Sequence, residues 1–250
     1  MYLNNRLNWL GLFICFSMAL STSAWAQTTH ISSTAEQTML LELYTSEGCS
    51  SCPPADHWLS KFKQDSRLWH QIVPVAFHVD YWDYLGWGDR FAKAEFTQRQ
   101  QHYQTTRAIR FVYTPGMVLN GHEWRGWFEK EALPDLNKQQ VGVLSASISG
   151  DNSAVEFTPV QNHRSPLALH IAWLGFDLKT KVGGGENNGR TLNHDFVVLD
   201  LQSQHASAQD DKYRWQLAGR RPDSSVSAVA MWVTELNDPT PIQTIGGWLQ

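Results

Sequence analysis

Cysteine is scarce: the 250 residues hold three, Cys15, Cys49 and Cys52. So few cannot form the dense framework of a small disulfide-stapled protein, and a chain of this length builds a core without staples. There is no second CxxC, and a closed structural zinc site takes four ligands. Charge is sparse as well. Asp, Glu, Lys and Arg make up 18% of the chain, the net charge is −4 and no long basic run occurs, which argues against nucleic acid as a partner. The apolar stretch Trp9 to Leu20 is shorter than the ~20 residues a membrane-spanning helix needs. No internal repeat is evident. Tryptophan, by contrast, is abundant at twelve, so most must serve a core or a binding surface.

Arg6, the apolar stretch and Ala24-Trp25-Ala26 together read as an export signal cleaved after Ala26. An uncleaved anchor is the alternative. Cleavage predicts a periplasmic or secreted protein with no stable membrane anchor, starting at Gln27 and keeping only Cys49 and Cys52. A bridge between residues this close constrains the unfolded chain little, so redox chemistry explains the pair better than stability does.

The pair lies between two recognisable elements. Met39 to Thr45 is apolar and reads as a buried strand, Ser46-Glu47-Gly48 as a turn. After Cys52, Pro53 and Pro54 lead into Ala55, Trp58, Leu59 and Phe62 at helical spacing. A helix N-terminus offers unpaired N–H groups and the positive end of a dipole, which favour the reactive thiolate. Cys49 is expected to be the more exposed, attacking thiolate and Cys52 the resolving one. An inert structural disulfide and a metal pair that recruits His57 or His78 are the alternatives. His78 and Asp80 leave one strand end on the same face if that strand runs on; they read either as an accessory site or as a loop anchor. Tyr81, Trp82, Tyr84 and Trp87 read either as a groove for unfolded peptide or as core.

In order, residues 27–38 form a polar lead-in. Ile72 to Val79 is a second buried strand, parallel to the first. Ala92 to Arg107 reads as a helix. Arg110 to Gly121 carries Thr114-Pro115 into a strand ending in an Asn-Gly turn, His122 to Trp127 is its hairpin partner and Phe128 to Gln140 a closing helix. From 141 to 250 the strands are short and partly alternating: Val141–Ser149, Ala154–Val160, Leu167–Phe176, Phe196–Gln202, Tyr213–Leu217, Val226–Glu235 and Ile242–Leu249. Their spacing reads as an antiparallel sandwich-like domain. Gly184 to Thr191 mimics a P-loop with Arg for Lys, but Phe196 to Leu199 beyond it is strand-like where a P-loop opens a helix, so nucleotide binding is rejected.

The strand, the CxxC opening a helix, and the proline-headed strand with hairpin and helix together resemble the thioredoxin superfamily. The runs Tyr44 to Asp56, His78 to Asp83 and Tyr113-Thr114-Pro115 more specifically resemble the DUF1223 family of exported thioredoxin-like proteins. The resemblance implies an α/β thioredoxin-like domain over 39–140, and the strand spacing makes 141–250 the antiparallel all-β sandwich-like domain that follows it. It implies a cis Thr114–Pro115 bond against the cysteine pair. It also implies that Glu42 is the buried carboxylate that moves protons for Cys52. The run Glu186 to His194 matches the family pattern and is either a binding loop or a mobile hairpin loop. The expected function is a thiol–disulfide oxidoreductase acting on protein thiols and disulfides with an unknown electron donor, no cofactor and no resident metal. Thr114, Tyr81 and Trp82 would contact substrate beside Pro115. Uncharged Ser50 and Ser51 between the cysteines, with Glu47 upstream, point to a reductase or isomerase. The alternative is a binding module, or a copper metallochaperone using Cys49, Cys52 and His78.

Overall fold

A computed structural model describes residues 28–135, 138–150, 152–161, 165–218 and 225–249. The expected signal, its cleavage site and Cys15 lie outside the described residues. Among those described, no helix is long and apolar enough to cross a membrane.

The strands are β1 (Thr28–Ser32), β2 (Met39–Thr45), β3 (Ile72–His78), β4 (Gly116–Leu119), β5 (His122–Glu123), β6 (Gly142–Ser149), β7 (Asn152–Pro159), β8 (Leu167–Gly175), β9 (Leu178–Lys181), β10 (Thr191–His194), β11 (Val197–Ala206), β12 (Tyr213–Ala218), β13 (Val226–Glu235) and β14 (Gln243–Trp248). The helices are α1 (Pro53–Ser60), α2 (Ala94–Thr105) and α3 (Gly126–Glu129). An eight-stranded sheet runs β14-β13-β8-β11-β3-β2-β4-β5, a four-stranded sheet runs β1-β6-β7-β12, and β9 pairs with β10 alone.

This architecture corrects the expected fold class. Among the described residues the chain is mostly β, with three sheets and few helices, and is not an α/β thioredoxin-like domain followed by a separate sandwich. Strands β2 to β5 and strands β8, β11, β13 and β14 belong to one sheet. The seam is narrow: β11 meets β3 in parallel at Val197 and Ala76, with the Ala76 N–H donating to the Phe196 carbonyl at 2.8 Å. Every residue of β3 is buried, paired along its full length with β2 and met at Ala76 by β11. A strand with both faces packed reads as a continuous apolar run.

The expected lead-in holds β1, which pairs with β6 along its whole length. The four-stranded sheet then packs its inward residues, among them Leu144, Ile148, Phe157 and Trp215, against Leu169, Ile171, Met231 and Val233 of the large sheet. A sandwich therefore exists, but one of its layers continues into the sheet that carries the cysteines. The expected closing helix over 128–140 is reduced to α3. Lys130 ends it in the left-handed conformation at φ 59°, and Pro134 further on disfavours helix at the residue before it.

Behind the seam, His170 of β8 stacks on Trp232 of β13 at 5.2 Å, with Nδ1 bonded to Ser203 Oγ at 2.8 Å and Nε2 to Thr234 Oγ1 at 3.1 Å. Burial first, then the charges of Arg99 and His205, lower its pKa from 6.5 to about 3. Between these values the unfolded chain binds the proton and the folded chain does not, so this stability is present above pH 6.5 and is lost as pH falls toward 3. Replacing His170 with Gln should lessen the fall in unfolding free energy between pH 7 and pH 4, measured by urea titration, by about 2 kcal/mol, allowing for solvent around a partly buried ring. A variant with the wild-type acid slope would assign that slope to other groups.

Candidate functional site

β2 delivers the chain to Ser46, where two turns close in succession: the Cys49 N–H donates to the Ser46 carbonyl and the Cys52 N–H to the Cys49 carbonyl, each at 3.2 Å. Cys52 is the N-cap of α1, and its carbonyl accepts the N–H groups of Ala55 and Asp56 at 2.8 and 3.1 Å. Pro53 and Pro54 sit in the first turn, where a missing N–H costs nothing. Cys49 and Cys52 form a disulfide with Cα atoms 5.5 Å apart. Both residues are 0% exposed, so Cys49 is not the more exposed of the two, which corrects that expectation. Ser50 and Ser51 take the surface positions instead.

The cover comes from the hairpin β9–β10, whose loop lies across the motif. Asn187 is buried, and its Nδ2 donates to the carbonyls of Glu47 and Cys49 at 2.9 and 2.8 Å. Arg190 Nη1 holds the Asn187 Oδ1 at 2.6 Å. Glu186 Oε2 accepts from the Ser50 N–H and hydroxyl at 2.8 and 2.7 Å, while the Glu186 N–H donates to the Gly48 carbonyl at 3.2 Å. Two glycines make this approach possible. A Cβ at Gly184 would lie 2.5 Å from the Gly86 carbonyl oxygen, and Gly185 has φ +65° with a Cβ position 3.2 Å from the Gly48 Cα. The run read as a binding loop or a loose hairpin is a strap over the disulfide.

Beside the motif, the Thr114–Pro115 peptide is cis, as the resemblance implied. Thr114 and Pro115 line a groove of about 520 Å³ with Ser51, Phe111, Tyr113, Arg125, Trp127 and Phe128. Phe111 and Phe128 are 56% and 43% exposed, so the groove offers apolar surface. Gly116 succeeds the proline because a Cβ there would meet the Tyr113 carbonyl oxygen at 2.7 Å. Trp82 reaches the groove through its Nε1, which donates to Thr114 Oγ1 at 2.7 Å, and Tyr81 Oη donates to Gln100 Oε1 at 3.2 Å. Neither lines the groove.

Strand alternation sorts the remaining candidates onto two faces. Thr45 and His78 stand opposite each other on the parallel pair β2–β3, and Thr45 Oγ1 donates to Asp56 of α1 at 3.0 Å. Glu42 and Tyr44 point the other way, toward α2. There Arg99 Nε and Nη2 donate to the Glu42 carboxylate at 2.8 and 3.0 Å, Tyr44 Oη donates at 2.9 Å and Tyr103 Oη at 2.5 Å. Glu42 is buried, as its apolar strand predicts, but it is spent in an ion pair on the face away from α1, so we retain no proton-relay role for it. Asp80 parts from His78: it exchanges hydrogen bonds with Thr97 at the start of α2, an anchoring role.

On the α1 face, ligand atoms of Asp56, His78 and His194 lie within 4.8 Å of one another, all buried. Around them, His78 Nδ1 bonds Asp89 Oδ2 at 2.7 Å, and His194 Nε2 lies 3.4 Å from Glu47 Oε1. Burial raises the Asp56 pKa. For His78 burial pulls downward, but the charge and hydrogen bond of Asp89, with Asp56 and Glu47, raise it. The grouping around His78 thus draws on Asp56 and His194 instead of the cysteines expected for a copper site. Sequence reasoning misses His194 and Asp56; an Asp one helical turn after CxxC, and a His closing the loop run, were the available signals.

The family model described as a protein of unknown function (DUF1223) matches residues 40–234. A protein of Agrobacterium tumefaciens, solved by X-ray crystallography, is similar over 86% of this chain and 95% of its own, at 24% identity and a TM-score of 0.62. HBP35 of Porphyromonas gingivalis is similar over 87% of this chain and 76% of its own, at 13% identity and a TM-score of 0.59. Both likenesses concern the fold. No curated protein matches the chain.

Proposed function

We propose that the chain, which belongs to the DUF1223 family, is an exported thiol–disulfide oxidoreductase of the reductase or isomerase type, thioredoxin-like in its chemistry. The observation that carries this reading is the Cys49–Cys52 disulfide at the start of α1, with a cis-proline groove beside Ser51. In the reduced protein the Cys49 thiolate attacks a substrate disulfide. One substrate thiolate leaves and a mixed disulfide forms. The Cys52 thiolate then attacks the Cys49 sulfur, which re-forms the internal disulfide and releases the second substrate thiol. Two electrons pass to the substrate, and an external dithiol must return them. The groove suits an extended peptide segment with apolar side chains, because Phe111, Trp127 and Phe128 supply its apolar walls while Thr114 and Arg125 supply polar contacts. Export rests on the signal read over residues 1–26.

The test is redox equilibration with glutathione, together with turnover of a model protein disulfide. A potential between those of the strongest reductants and the strongest disulfide donors, with turnover lost on Cys49→Ser, supports the reading. A pair that no thiol reduces in the folded protein would make it a structural bridge.

A further inference from the structure

We propose that Asp56, His78 and His194 form a three-ligand binding site for a zinc-class divalent cation under the redox motif, with the Glu47 carboxylate beside His194. The site needs neither cysteine and stands apart from the redox reading.

Buried polar atoms without partners gather at this place. His78 is 0% exposed. Its Nδ1 is engaged by the Asp89 carboxylate at 2.7 Å, while its Nε2 has no hydrogen-bond partner among the described residues. Both ring nitrogens of the 2% exposed His194 are likewise without one, and so is Glu47 Oε1. His194 Nε2 and Glu47 Oε1 face each other at 3.4 Å, outside hydrogen-bond geometry, and His78 Nε2 and His194 Nδ1 are left without a partner; unmatched buried polar atoms at one place are costly and require an explanation. Asp56 Oδ2 accepts from Thr45, which leaves Oδ1.

The surroundings favour a cation. Glu47, Asp56 and Asp89 are all buried, and among the described residues no lysine or arginine pairs with any of them. Buried carboxylates without such partners call for positive charge. A carboxylate holding one nitrogen of an imidazole, with the other nitrogen aimed inward, is the arrangement that orients metal-bound histidines. Asp89 holds His78 in this way. Two imidazoles with carboxylate oxygens suit zinc and its first-row neighbours, and do not suit the softer ions that thiolates select. Tetrahedral zinc keeps its ligand atoms about 3.4 Å apart, so binding would draw the triad, now within 4.8 Å, together by up to about 1.4 Å. Cation entry has a route: Asp56 and His194 line an open pocket of about 430 Å³ with Pro54, His57, Ser60 and Arg190. Each ligand comes from a separate element, namely α1, the end of β3 and the end of β10, so the ion would tie the strap hairpin to the sheet.

The experiment uses protein with its disulfide intact, so that thiolates cannot bind. Zinc is titrated against a chromophoric chelator, and cobalt serves as a spectroscopic probe. The expected result is one ion per chain, tetrahedral cobalt bands without thiolate charge transfer, and a zinc-dependent rise in Tm. His78→Gln and His194→Gln should each weaken binding tenfold or more, with Asp89→Asn weakening it about 10–100-fold by freeing the His78 ring. His57→Gln and the Cys49→Ser/Cys52→Ser double variant should bind as the wild type does. Should His78→Gln fail to fold, His194→Gln on the hairpin and the wild-type cobalt spectrum still decide. Absence of saturable binding, binding retained in the folded histidine variants, or binding lost with the cysteines would each overturn the site.

Discussion

Replacing Glu42 with Gln should destabilise the protein by about 3–5 kcal/mol, the cost of leaving one partner of a buried ion pair alone. For a chain of this size that corresponds to a fall in Tm of roughly 6–20 °C. Glu42 is completely buried and Arg99 nearly so, with side-chain exposures of 0% and 10%. A glutamine keeps an oxygen for Tyr44 or Tyr103 but turns an NH₂ donor toward the guanidinium donors. Arg99 also stacks on Trp232 at 4.9 Å, so the loss reaches β13 across the seam. Removing both charges in Glu42→Gln/Arg99→Met should cost less than the two single changes combined. The rate at which a dithiol reduces the Cys49–Cys52 bridge should stay within about twofold of wild type in Glu42→Gln, because Glu42 faces α2. Destabilisation below about 1 kcal/mol would mean that solvent reaches Arg99. A strongly slowed exchange would restore Glu42 to the redox chemistry.

Asn187→Ala should speed reduction of the disulfide by about 30–100-fold. Both cysteines are 0% exposed, so a reductant must wait for the strap to lift. Asn187 closes the strap with two buried hydrogen bonds, to the carbonyls of Glu47 and Cys49. Alanine removes both and leaves the two carbonyls unpaired, which raises the closed state by about 2–3 kcal/mol. When opening is fast relative to attack, the rate follows the open population, and each 1.4 kcal/mol is about tenfold. The measurement is quenched-flow trapping of thiols during reduction by dithiothreitol, with circular dichroism to show that the variant is folded. Glu186→Gln, whose bonds to Ser50 lie at the surface, should have a smaller effect. A folded Asn187→Ala protein reduced at the wild-type rate would mean that the bridge is reached from elsewhere, and the strap would then be only a structural contact.

The Glu42 and Asn187 effects arise at different links between sequence and function. The first comes from an apolar strand that must bury whatever it carries. The second comes from a loop whose sequence reads as glycine-rich and polar, which is the signature of a solvated turn. Gly183 and Gly184 approach the Trp87 ring and the Gly86 carbonyl too closely for a Cβ, at 2.9 and 2.5 Å, and Gly185 combines a tight 3.2 Å approach to Gly48 with a φ of +65°. Sequence alone does not separate glycine kept for freedom from glycine kept for close approach.

The determinants that lay in the sequence itself were local. The apolar runs of β2 and β3, the helical spacing after Pro53, and the paired cysteines between them required a strand–turn–helix with the pair at the helix start, and that is the structure that forms. Five of the observed strands after residue 141, β6, β8, β12, β13 and β14, begin and end within one residue of the expected bounds because alternation is a property of neighbouring residues, whereas β11 runs on to Ala206 and β9 and β10 fall outside the expected strands. Partnership was decided only by the tertiary structure. The single ladder pair of Val197 with Ala76 fuses the two expected domains into one sheet. Arg99 reaches Glu42 from 57 residues away, and Asn187 reaches Cys49 from 138. His194 meets His78 with ring centroids 4.9 Å apart. No periodicity encodes such meetings. They arise from the need to bury whole sheet faces and to match buried polar groups wherever the chain brings them.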